Sequence, residues 1–254
     1  MKQLWTWITG AWVTVGIVLA FAVPPIYDKA TGLRLFTPQI AFFHVPAAVS
    51  MILAFMASAG YGISWLRTRQ VRSDSLSFAF AEAGAILGCI AMATGMLFAE
   101  ANWGAYWSWD PQQVGVLATL LTYAALFALR GAVDDDARRR DLWAIYAIFG
   151  CAVALFGSAI YRRLLPDMAT LHPKNTLITS DPLNRFALWF NVLGYALFMA
   201  RVAMVRARLI GVGERRRARI MERELEINGA AEPTLSDVES RGERETPKRG
   251  LVWR

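Results

Sequence analysis

Charge and reactive side chains are scarce in this chain of 254 residues. Only 19% of its residues are charged, against about 25% in an average soluble domain. It holds two cysteines, Cys89 and Cys151, each alone within an apolar run and in neither a CxxC nor a CxxCH pattern. They read as buried packing residues and carry no redox argument. No GxxxxGK[ST] phosphate loop is present, so any dependence on ATP has to come from partners. No repeat of 20–50 residues is evident. There are only two histidines, His44 and His172.

What is abundant is apolar. Hydrophobic residues make up 56% of the chain, above the roughly 45–50% of a soluble domain. The net charge is +7, but its placement argues against nucleic acid as a partner. From Arg206 onward there are 12 basic and 9 acidic residues, close to half of all charge in the chain. The rest is sparse and sits between long apolar runs. About 20 apolar residues cross the hydrocarbon core of a bilayer. Six runs qualify, at about 5–23, 38–66, 78–98, 111–129, 142–161 and 182–205. The first lacks a small-residue cleavage site before Pro24-Pro25 and is therefore read as a helix rather than a signal peptide. The expected fold is an all-α integral membrane protein with six transmembrane helices over 1–208. A charged cytoplasmic tail follows over 209–254, helix-forming at "GERRRARIMERELEI" and disordered in its polar remainder.

Loop charge sets the orientation. Arg67, Arg69 and Arg72 follow the second span, and Arg130, Arg138, Arg139 and Arg140 follow the fourth. With Lys2 and the tail, they place both termini in the cytoplasm. The connections 24–37, 99–110 and 162–181 then face outward. Thr37-Pro38, Asp110-Pro111 and Asp181-Pro182 each pair an N-cap residue with proline at the first helical position, at the outer starts of three spans.

The outer face gathers the unusual residues. "WGAYWSWDP", from Trp103 to Pro111, sets four aromatic rings in seven positions. His44 lies about two turns into the second span and His172 in the last outer loop. Two neutral imidazoles can fill both axial positions of a haem iron, and flat aromatic rings suit a porphyrin face. Outer cations at Arg34, Arg162, Arg163, Lys174 and Arg185 are candidate partners for its propionates. Each feature alone has a plainer reading: an interfacial aromatic belt, a hydrogen-bonded histidine, a helix cap, headgroup contacts. Their convergence on one face is what favours a cofactor site, and spacing alone does not name haem.

"WGAYWSWDP" resembles the WWD signature of the haem-handling proteins of cytochrome c biogenesis. "FFHVPAA", Phe42 to Ala48, and "TLHP", Thr170 to Pro173, are similar to the two histidine motifs of the CcmC (haem exporter protein C) family. The resemblance spans the six-helix region and ends before the tail. Tyr106 departs from it, standing where the motif has a paired Trp, and "YWSWDP" reads closer to the CcsA/ResC branch. That branch normally carries further membrane histidines, which are missing here.

The resemblance implies a haem-binding and transfer subunit of the bacterial inner membrane, with no chemistry of its own. His44 and His172 match the axial ligands of a non-covalent haem b. Trp103, Gly104, Tyr106, Trp107, Trp109 and Asp110 match the platform. The implied partners are the periplasmic chaperone CcmE, the ATP-binding cassette pair CcmA and CcmB, the small protein CcmD, and the lipid bilayer. Its loop position marks His172 as the ligand to be exchanged at transfer. Alternatives are a CcsA-like subunit of a cytochrome c synthetase, a bis-histidine cytochrome b-type electron carrier, and a transporter. For a transporter, Glu82 is the one clearly intramembrane acid, and a thin basis.

Overall fold

The computed structural model describes residues 2–23, 26–27, 34–35, 38–160, 164, 171–172 and 181–231. Six helices are long and apolar enough to cross a membrane. They are α1 (Lys2–Ala22), α2 (Pro38–Thr68), α3 (Val71–Trp103), α4 (Pro111–Ala132), α5 (Asp136–Leu155) and α6 (Pro182–Ala231). Between α1 and α2 lies a small antiparallel pair, β1 (Ile26–Tyr27) and β2 (Arg34–Leu35), which the apolar pattern did not announce. The chain divides into two units, Met1–Leu209 and Ile210–Arg254. In the second, the described residues are helical as far as Ala231, and the polar stretch beyond lies outside them.

The helix starts at Pro111 and Pro182 follow from local chemistry. Asp110 Oδ1 accepts the Gln112 amide at 2.9 Å, and Asp181 Oδ1 accepts the Leu183 amide at 2.9 Å. Each satisfies an orphan donor of the first turn, and the proline has no N–H to satisfy. The third expected cap, Thr37, lies outside the described residues.

Helix α3 departs from the apolar pattern at its start. It begins at Val71, seven residues before the apolar run, so only Arg69 and Gln70 connect it to α2. Arg69 takes φ 56° and lets α2 end there, its N–H bonded to the Trp65 carbonyl at 2.8 Å. Charge at Arg72 and Asp74 disguises this first turn as loop. Asp74 is in fact buried, held by two Arg130 hydrogen bonds of 2.8 and 2.7 Å, with Arg140 at 3.6 Å. Phe78 and Trp143 flank the Arg130 guanidinium.

Helix α2 packs chiefly on α3 and then on α5, with α4 against α5. Small residues permit the closest approaches. A Cβ on Gly62 would press on the Ala144 backbone, and one on Gly115 would fall inside the Gly157 carbonyl. Beyond that contact α5 widens into a π turn, Phe156–Ile160. Helices α1 and α6 join through Trp12 stacked on Phe190, with Trp12 Nε1 donating to the Phe190 carbonyl at 3.0 Å. Asn191 Nδ2 donates to the Gly16 and Ala187 carbonyls. Around the rest of the first unit, large apolar side chains such as Trp7, Phe21, Ile86 and Leu121 point outward. In water that would be a liability, whereas in a bilayer it is the solvated face.

Candidate functional site

The aromatic loop is a built turn. Helix α3 ends at Gly104, whose φ of 75° and 2.9 Å bond to the Glu100 carbonyl form a left-handed C-cap. The loop closes at Trp109, also left-handed at φ 57°, an uncommon conformation for a bulky residue that surrounding structure has to hold. Gln113 does much of that holding. Its Oε1 accepts from Ser108 N at 3.0 Å and Ser108 Oγ at 3.1 Å, and its Nε2 donates to the Tyr106 carbonyl at 3.1 Å. One amide on the first turn of α4 thus pins the loop backbone. The outcome is outward display: Trp109 is 76% exposed and Tyr106 53%, with Trp107 edge-on to Trp109 at 5.6 Å.

Asp110 does more than cap α4. While its Oδ1 accepts the Gln112 amide, the same oxygen accepts from His172 Nδ1 at 2.9 Å. Oδ2 accepts the Leu171 amide at 2.6 Å. A loop residue 62 positions away is therefore tied to the helix start by both backbone and side chain. A carboxylate only accepts, so a proton resides on His172 Nδ1, and in the neutral ring the lone pair is then on Nε2. Trp103 meets the same imidazole edge-on at 5.5 Å and Phe98 at 5.8 Å.

His44 reaches the same state by other means. Its Nδ1 lies 2.9 Å from the Ala91 carbonyl and 3.3 Å from Thr94 Oγ1 on α3. A carbonyl can only accept, so Nδ1 carries the proton and Nε2 the lone pair. Gly95 makes room for the ring, since a Cβ there would come within 2.8 Å of His44 Cε1. Two residues on, Pro46 sits inside α2 and removes the hydrogen bond that would reach back to Phe42.

Among the described residues, no cluster of three or more His, Cys, Asp or Glu side chains is placed to hold a bare metal ion. The donors present are two separate imidazoles, one of them against the Trp103 ring, a set that suits a planar metal complex more than an ion. A shallow apolar groove runs from Trp109 down between α4 and α5, past Val114, Gly115, Ala118, Phe156 and Gly157.

The model of the family CcmC, Heme exporter protein C, matches residues 1–227. This chain belongs to that family. The Heme exporter protein C of Escherichia coli K12 is 31% identical over 217 residues, covering 82% of this chain and 83% of the relative. That of Paracoccus denitrificans is 28% identical over 214 residues, covering 82% and 85%. A cytochrome c biogenesis protein CcsA from Synechococcus is 33% identical over 84 residues, only 33% of this chain and 28% of that protein. Membership in the CcmC family makes the chain a multi-pass membrane component of haem transport in cytochrome c biogenesis.

The sequence-predicted residues fare unequally in the structure. His172 contacts both Asp110 and Trp103, and Gly104 is a helix cap. Arg185 is exposed on the first turn of α6, its amide bonded to the Asp181 carbonyl. The backbone of Arg34 lies in β2, whereas Arg162, Arg163 and Lys174 lie outside the described residues. Ala91, Thr94, Gly95, Ser108 and Gln113 were missed. For Gln113 a signal existed, an amide three residues past an N-cap aspartate, where a side chain can turn back on the preceding loop. For the α3 residues there was none.

Proposed function

We propose that the chain holds haem b non-covalently at the periplasmic face of the bacterial inner membrane and passes it to the chaperone CcmE. In this reading His44 and His172 are the axial ligands. Trp103, Tyr106, Trp107 and Trp109 form the platform, with Gly104 and Asp110 setting its ends. One observation carries it: both imidazoles turn Nδ1 toward a built-in acceptor, which leaves Nε2 as the ligating nitrogen on each. Haem is the cargo, and the chain's own contribution is to grip it reversibly. Exposed rings at Tyr106 and Trp109 leave the rim of the site open to a partner.

Orientation in this reading follows the arginines at the opposite ends of the helices, among them Arg69, Arg130 and Arg140, which mark the cytoplasmic side. Arg34, Arg162, Arg163, Lys174 and Arg185 are the candidate propionate partners. CcmA and CcmB supply ATP hydrolysis and CcmD completes the complex. The purified chain is expected to show a Soret band, with His44→Ala or His172→Ala weakening or abolishing it. Full haem occupancy with an unchanged spectrum in the double variant would overturn the ligand assignment. The local match to CcsA, together with Tyr106, supports a second reading as a subunit of a cytochrome c synthetase. Co-purification of an ATPase pair favours the first reading, and a large periplasmic partner without one favours the second.

A further inference from the structure

The two histidines are held by chemically different partners. His44 gives its Nδ1 proton to a neutral backbone carbonyl, with a threonine hydroxyl beside it. His172 gives its proton to a carboxylate, which is itself fixed by two backbone amides. A charge-assisted hydrogen bond is roughly twice as strong as a neutral one. A carboxylate behind an imidazole also pushes electron density toward the opposite nitrogen and raises its basicity as a ligand. Asp110 cannot drift away from this role, because it simultaneously caps α4. The Leu171 amide on Oδ2 ties the backbone beside His172 to the start of α4 as well.

We propose that Asp110 is a positioning residue that makes His172 the stronger and retained axial donor, and His44 the weaker one, given up when the cargo leaves. This rests on the bis-histidine reading above and reverses the expectation drawn from the loop position of His172. Loop or helix is the wrong criterion for which ligand yields. What decides is the acceptor behind the ring.

The test uses the purified full-length chain reconstituted with ferric haem in detergent. It compares His44→Gly with His172→Gly, each with and without Asp110→Asn. Asparagine keeps an N-cap acceptor but removes the charge. His44→Gly is expected to retain most of its haem with one strong axial donor, and added imidazole should restore the six-coordinate low-spin spectrum. His172→Gly should lose haem at least tenfold more readily in a competition with apomyoglobin. Adding Asp110→Asn to His44→Gly should weaken retention by about ten- to a hundredfold, the usual effect of removing an outer partner of a metal ligand. The midpoint potential of the remaining haem should rise at the same time. Adding it to His172→Gly should change neither quantity. Equal retention by the two single variants would overturn the proposal. So would equal effects of Asp110→Asn in both backgrounds, the signature of a merely structural cap. If instead the double variant His44→Gly/His172→Gly keeps its haem and spectrum, the bis-histidine reading itself fails.

Discussion

The two ends of the helical bundle are built on opposite principles. At the arginine-rich end, polar groups are matched to one another, some of them buried. Asp74 binds Arg130 with Arg140 close by, Trp65 Nε1 and Arg69 both donate to Asp141, and Trp143 Nε1 donates to Ser77 Oγ. At the other end the same residue types are turned outward. Trp109 and Tyr106 are exposed, one glutamine braces the loop beside a left-handed tryptophan, and each imidazole turns Nδ1 to an acceptor. Indoles occur at both ends, so composition does not separate them. What differs is display: the indoles of Trp65 and Trp143 donate to side chains within the chain at one end, and Trp109 is turned outward at the other.

This contrast can be broken from either side. Asp74→Ala leaves two arginines facing a vacated buried site, and removing one partner of a buried pair costs about 3–5 kcal/mol. Thermal unfolding in detergent should drop accordingly, while haem bound per folded chain stays unchanged. Loss of haem in proportion would mean that the two ends are not separable. Gly115→Ala should come next, since the added methyl meets the Gly157 backbone rather than a movable side chain. Overpacking of this kind costs about 1–3 kcal/mol, and the π turn is expected to move, read as faster amide exchange at 156–160.

Gln113→Ala acts only on the open end. It removes three hydrogen bonds to the loop at about 1 kcal/mol each and leaves Trp109 in its left-handed conformation without its brace. Haem occupancy should fall several-fold with little change in the unfolding temperature, and the opposite pattern would move Gln113 into the structural group. Tyr106→Trp, which completes the motif, should have the smallest effect. The side chain is half-exposed and only its backbone carbonyl is held, so stability should change by less than about 0.5 kcal/mol.

How much of this was legible depended on how local the cause was. The six spans follow from apolar length, and the caps at Asp110 and Asp181 from two adjacent residues. The early start of α3 was hidden because Asp74 looks like a loop residue until Arg130 and Arg140 arrive from 56 and 66 positions away. Both halves of Asp110 were on view in the sequence, one as a cap and one as a motif residue. Its bond to His172 spans 62 positions and no periodicity reports it. The same is true of the Ala91 carbonyl behind His44, since any residue supplies a carbonyl and none advertises where it points. The motif resemblance pointed to these residues, and the hydrogen bonds differentiate them.

The Gln113 brace bears on how often such a site can be used. Its three bonds run between one helical side chain and the backbone or hydroxyl of the loop, and none requires an occupant. A loop shaped by its ligand would have to be ordered again at every arrival, at about 1–2 kcal/mol per residue. In the proposed haem-binding reading, these three bonds supply that ordering from within the chain, so the cargo would not have to order the loop itself.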